Sequence, residues 1–91
     1  MGKLQGWQIR AGRAAAGLSF ADVLAETGVA VSMQQRIEDA EWIEERDDGE
    51  RKERGTFAAD AIASIVRQIE ERGFKLMPAT ATIGPRVERK R

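Results

Sequence analysis

Residues 17–38 read Gly17-Leu18-Ser19-Phe20-Ala21-Asp22-Val23-Leu24-Ala25-Glu26-Thr27-Gly28-Val29-Ala30-Val31-Ser32-Met33-Gln34-Gln35-Arg36-Ile37-Glu38, and the division of this stretch decides the fold. Ser19 and Asp22 are spaced as a capping box, the hydroxyl able to accept a backbone N–H and the carboxylate able to reach back. A helix is therefore predicted from about Phe20 to Glu26, with Val23 and Leu24 as its apolar side. Gly28 ends it, because glycine tolerates the left-handed conformation that closes many helices. A third helix starts one or two residues later and carries Met33, Ile37 and Ala40 on one face. Two short helices joined by so tight a glycine-containing turn form a helix-turn-helix unit.

Upstream, Leu4 to Ala16 is Ala-rich and free of proline, with Leu4, Trp7 or Gln8, and Ala11 at helical spacing. Gly12 costs this helix roughly 0.5–1 kcal/mol relative to alanine, which makes sense if another element crosses closely. Gly17 stops it. Residues 1–43 form the three-helix core.

Downstream, residues 44–55 hold no apolar residue, so a solvated helix end or loop is expected. Trp42 and Ile43, just before it, either extend the third helix back onto the core or sit exposed as a contact patch. Residues 56–73 contain the clearest helix: Thr56 as N-cap, then Ala58, Ala61, Ile62, Ile65, Val66 and Ile69 at three- and four-residue spacing, closed by Gly73. In residues 74–91, Phe74-Lys75-Leu76-Met77 and Pro85-Arg86-Val87-Glu88-Arg89 alternate apolar and polar, which predicts a hairpin or two short strands ahead of a basic tail. A lone hairpin is marginal in water. It has to pack on the last helix or pair with another subunit.

Ninety-one residues suffice for one domain. The absence of cysteine and histidine excludes disulfides, thiolate ligands and the commonest general base and metal ligand, so neither an enzyme nor a metal or cofactor site is expected. No apolar run reaches the ~20 residues of a membrane span, and the start has no apolar signal core, so a cytoplasmic protein without a membrane partner is the expectation. The net charge is zero, but its distribution is uneven. Residues 41–55 hold seven acids and four bases, a net of −3, and residues 56–91 hold four acids and seven bases, a net of +3.

Residues 9–38 resemble the phage-repressor (XRE, Cro/C1-type) helix-turn-helix family. The elements that match are Ile9-Arg10, Arg13, Gly17-Leu18-Ser19, Thr27-Gly28-Val29 and Arg36-Ile37-Glu38, with no insertion. The resemblance implies a mainly α, lambda-repressor-like fold of about four helices with a short C-terminal β-hairpin or strand pair. It implies a transcriptional regulator that binds double-stranded DNA. Val31, Ser32, Gln35 and Arg36 would face the major groove, where Gln and Arg can pair with adenine and guanine edges and Val can touch a thymine methyl. Ser19, at the start of helix 2, would lie near a phosphate. Arg13 and Glu38 would form a partly buried ion pair joining helix 1 to helix 3. Arg86 and Arg89 of the basic tail are further candidates for phosphate contact.

Three residues depart from the family pattern. Phe20 replaces a polar phosphate contact, Ala30 offers no cap, and Gln34 stands where a buried aliphatic is expected. Either the third helix rolls so that Met33 and Ile37 take the core, or it starts later at the capping box Ser32-Met33-Gln34-Gln35. A module this small buries little surface on DNA alone, so a homodimer on a two-fold related operator is expected, joined through the last helix and through Phe74, Leu76, Met77 and Val87. The other expectation is a degenerate helix-turn-helix that binds a protein partner, as an antiactivator or antitoxin does, with Trp42-Ile43 as anchor.

Overall fold

The computed structural model describes residues 3–46, 56–78 and 84–89. Its elements are α1 (Gly6–Ala15), α2 (Phe20–Thr27), α3 (Val31–Asp39), β1 (Glu44–Arg46), β2 (Thr56–Ala58), α4 (Ala59–Glu71), β3 (Phe74–Met77) and β4 (Arg86–Arg89). The chain is mainly α and ends in a short antiparallel strand pair, as its periodicities lead one to expect.

Helix α1 turns Gly6, Gln8, Ile9 and Gly12 inward. Of the two candidates Trp7 and Gln8, it is Gln8 that is buried, whereas Trp7 stays 43% exposed. Gly12 is needed for close approach: a Cβ there would lie 2.9 Å from Leu76 Cδ2 and 3.0 Å from Ile69 Cγ2. Gly6 is tighter still. A Cβ there would lie 2.5 Å from the carbonyl oxygens of Ile37, Glu38 and Ala40, so the start of α1 rests backbone to backbone on the end of α3. The Gly6 N–H donates to Ala40 O at 2.9 Å across this contact.

The capping box forms at α2: Ser19 Oγ accepts from the Asp22 N–H at 3.1 Å, and Asp22 Oδ2 accepts from the Ser19 N–H at 2.9 Å. Gly28, at φ +76°, closes the helix. Val23 is fully buried, but Leu24, expected on the same apolar side, is exposed, because one residue turns a helix by about 100°. Thr27 fixes the turn by donating its hydroxyl to Val23 O at 2.7 Å and accepting the Val29 N–H at 3.2 Å. Helix α3 begins at Val31 behind Ala30, which supplies no side-chain cap, so the later start at Ser32 is not adopted.

The stretch after α3 departs from expectation. Trp42 and Ile43 separate: Ile43 is buried and Trp42 is exposed. The Ile43 N–H donates to Leu4 O at 2.8 Å, which holds the chain extended alongside the N-terminal segment. Residues 44–46, expected as part of a charged loop, form β1 and pair in parallel with β2, Glu44 opposite Thr56 and Arg46 opposite Ala58. Buried Ile43 and Phe57 explain the strands, since each anchors its segment to the core whatever the charge of its neighbours. Thr56 is thus a strand residue and not a helix cap; α4 starts behind Ala58. The rest of the charged stretch, 47–55, lies outside the described residues.

Ile62, Ile65 and Ile69 of α4 form the centre of the core with Ile9, Val23, Ile37 and Leu76. Gly73, at φ +98°, turns the chain into β3, which pairs with β4 from Phe74 opposite Arg89 to Met77 opposite Arg86. This strand pair packs on α1 and α4. Leu76 is buried and Phe74 and Val87 are partly buried against the core, whereas Met77, the fourth residue expected at a subunit contact, is half-buried in β3. Among the described residues no helix is long and apolar enough to cross a membrane.

Candidate functional site

Helix α3 has two sides with opposite fates. Gln34, Ile37 and Glu38 are buried, and Met33 is partly buried against the core. Ser32, Gln35, Arg36 and Asp39 are exposed, with Val31 half-buried beside them. These exposed residues recur at three- and four-residue spacing and form one outward row. The row thus brings together four of the residues predicted from the sequence: Val31, Ser32, Gln35 and Arg36. It carries a hydroxyl, an amide with both donor and acceptor, and a guanidinium with five donors.

The polar Gln34 is what sets this row outward. Its Nε2 donates to Phe20 O at 3.0 Å and to Val29 O at 2.8 Å, so the amide takes the inner position by satisfying two carbonyls of α2 and the turn. Its Oε1 has no partner among the described residues. The roll that Met33 and Ile37 would require if Gln34 were turned to solvent is therefore absent. Ile37 and Gln34 share the inner face, and Met33 lies at its margin.

At the end of α3 the polar contacts are stronger. Arg13 Nε donates to Glu38 Oε2 at 2.7 Å and Arg13 Nη2 to Glu38 Oε1 at 3.1 Å, a two-pronged pair whose side chains are only 17% and 4% exposed. Arg13 Nη1 also donates to Leu18 O at 3.0 Å, and the guanidinium lies 4.1 Å from the centre of the Phe20 ring. Phe20 thus serves as a platform for Arg13, a use its position in the sequence did not suggest. Arg10 reaches from α1 to Asp39 Oδ1 at 3.0 Å and to Glu38 Oε1 at 3.5 Å. Two arginines near the carbonyl end of a helix also suit its dipole.

Ser19 stands exposed at the start of α2, and Gln34 ties the adjoining Phe20 to α3, so the α2 start and the outward row lie on neighbouring elements. Asp22 accepts hydrogen bonds from the backbone and the side chain of Ser19, which hold its carboxyl below the ordinary aspartate value. Arg86 and Arg89 are elsewhere. Their strand packs on α1, Arg86 is paired with Glu88, and among the described residues no hydrogen bond or ion pair links either arginine to α3. Lys90 and Arg91 lie outside the described residues.

Sequence reasoning offered Gln8 only as an alternative to Trp7 and missed the burial of Gln68 altogether. Gln8 Nε2 donates to Met77 O at 2.7 Å and Arg86 O at 3.0 Å, while its Oε1 accepts the Gln5 N–H at 2.9 Å. Gln68 Nε2 donates to Glu26 Oε2 at 2.7 Å and ties α4 to the end of α2, where Arg72 also reaches Glu26 at 2.6 Å. The available signal was positional: each of these amides falls on the apolar stripe of its helix. Among the described residues no group of three or more acids is placed to hold a metal ion.

Comparison with protein-family models, curated proteins and solved structures finds no match for this chain.

Proposed function

We propose that the chain is a sequence-specific DNA-binding transcriptional regulator of the lambda-repressor-like helix-turn-helix type, with α3 entering the major groove. The observation that carries this reading is the outward row of α3, held on a back made of Gln34, Ile37 and Glu38. A helix reads base edges only if its reading side is solvent-facing and its other side is fixed to a scaffold. Gln35 and Arg36 supply the paired donors and acceptors that distinguish adenine and guanine, and Val31 can contact a thymine methyl. Ser19, together with the N-terminus of α2, would hold a phosphate. One module offers little surface, so a homodimer on a two-fold related site is the working state of this reading.

The test is selection of bound duplexes from a random pool at two salt concentrations, followed by Arg36→Ala. The reading expects a defined half-site, a salt slope near one unit per phosphate engaged, and a loss of about 1–3 kcal/mol in the variant. Binding of Arg36→Ala at wild-type affinity would remove the groove assignment. A second reading, a scaffold of this shape serving as a protein-binding module, draws on Trp42, which is 41% exposed. Under it, Arg36→Ala leaves partner binding intact.

A further inference from the structure

Among the described residues, the large apolar side chains left exposed by the core are Trp7, Leu24 and Trp42. Two of them belong to one end of the molecule. The Gly6 N–H bonds Ala40 O at 2.9 Å and the Ile43 N–H bonds Leu4 O at 2.8 Å, so segments 4–6 and 40–43 run side by side. Trp42 lies within the second segment. Trp7 follows the first and donates its indole N–H to Gln5 Oε1 at 2.5 Å. These are the only tryptophans of the chain.

The setting of the two indoles is acidic. Glu41, Glu44 and Glu45, next to Trp42 in sequence, are all exposed. Lys3 answers Glu44 at 2.6 Å. Glu41 and Glu45 have no ion pair among the described residues. Two carboxylates without an ion pair among the described residues, Glu41 and Glu45, thus lie close in sequence to the exposed Trp42.

We propose that this end of the molecule, Trp7 and Trp42 with Glu41 and Glu45, is a docking surface for a lysine- or arginine-bearing segment of a protein partner. The chemistry is complementary in two ways. The face of an indole attracts a cation more strongly than any other side-chain ring does, and a neighbouring carboxylate takes the charge-assisted hydrogen bonds of the same cation. An acidic surface also steers a basic partner toward it and repels phosphate, which sets this surface apart from any that would meet nucleic acid. The proposal stands independently of whether α3 reads DNA, because it uses none of Ser32, Gln35 or Arg36.

The full chain carries its own reporter, since all tryptophan fluorescence comes from this surface. It is titrated with a twelve-residue peptide of alternating lysine and alanine, with the glutamate–alanine counterpart, and with a duplex DNA of random sequence. The lysine peptide is expected to give a saturable change in tryptophan emission, weakened at high salt, and the glutamate peptide none. The double substitution E41K/E45K should weaken the lysine peptide at least tenfold with thermal unfolding unchanged, because both glutamates are exposed, and Trp42→Ala should weaken it several-fold. Three outcomes overturn the proposal. The lysine peptide could bind the charge-reversed chain as tightly as the original. DNA could be the ligand that moves the emission. Finally, the emission could change on dilution of the chain alone, which would make a second copy the occupant. Failure of operator selection with a positive peptide titration would sink the DNA reading and leave this surface standing.

Discussion

The α1–α2–α3 part and the α4–β3–β4 part are held together by different means. In the first, the contacts that matter are directional: Gly6 N–H to Ala40 O, Arg13 to Glu38, Gln34 to Phe20 O and Val29 O, and the Ser19–Asp22 box. In the second, beyond the β3–β4 ladder and the bonds of Gln68 and Arg72 to Glu26, Ile62, Ile65, Ile69 and Leu76 interlock without direction. Apolar packing tolerates small rotations, whereas a two-pronged ion pair and a backbone-to-backbone contact do not. The difference teaches that α4 mainly supplies stability, while the polar contacts of the first part fix which side of α3 faces out.

The sharpest way to break this comparison is a pair of substitutions of similar cost. Glu38→Ala leaves Arg13 mostly buried without its partner and should cost about 3–5 kcal/mol in chemical denaturation. Ile69→Ala opens a cavity and should cost about 2–5 kcal/mol. Backbone chemical shifts of residues 31–39 should move in the first variant and stay near their original values in the second. If Ile69→Ala displaced α3 as much as Glu38→Ala does, the division of labour would not hold.

Gly6 and Gly12 sharpen it further. An alanine at Gly6 meets three carbonyl oxygens at 2.5 Å, which cannot move without moving the end of α3. Gly6→Ala should destabilise by about 1–3 kcal/mol, as overpacking does, and should shift α3. At Gly12 the opposing atoms belong to the side chains of Leu76 and Ile69, which can shift, so Gly12→Ala should cost less than Gly6→Ala in the same denaturation experiment.

The smallest effect lies at the cap of α2. Ser19→Ala should cost about 1 kcal/mol. The carboxyl of Asp22 is held below its ordinary value by hydrogen bonds from Ser19, so its stabilisation is complete at neutral pH. It starts to fade as the pH falls into the ordinary aspartate range and is gone once the pH has passed the lowered native value. Unfolding of the wild type and of Asp22→Asn, followed from neutral to strongly acidic pH, should show the difference between them closing over that window.

Much of the helical framework was legible because its signals are local. The box at Ser19, the left-handed Gly28 and the isoleucine spacing of α4 each need only a few neighbouring residues to be read. What escaped was long-range. The parallel pairing of 44–46 with 56–58 depends on Ile43 and Phe57 reaching the core, and a run of charges between them conceals it. The inner place of Gln34 depends on two carbonyls of other segments being presented to it, which no periodicity reveals. The outward row at Ser32, Gln35 and Arg36 could be anticipated from helical spacing, but the remoteness of Arg86 and Arg89 from it could not, since that follows from how the strand pair seats on α1.

The amide of Gln8 bridges positions 78 residues apart, from α1 to the carbonyl of Arg86. Closing so wide a loop is entropically late, and the order of assembly follows from it. A chain emerging during synthesis can form α2, α3 and their turn early. It cannot finish seating α1 until β4 has been released. Folding of this chain is therefore gated by β4, and a ribosome-stalled intermediate lacking β4 should leave the start of α1 more open to hydrogen exchange than any other helix.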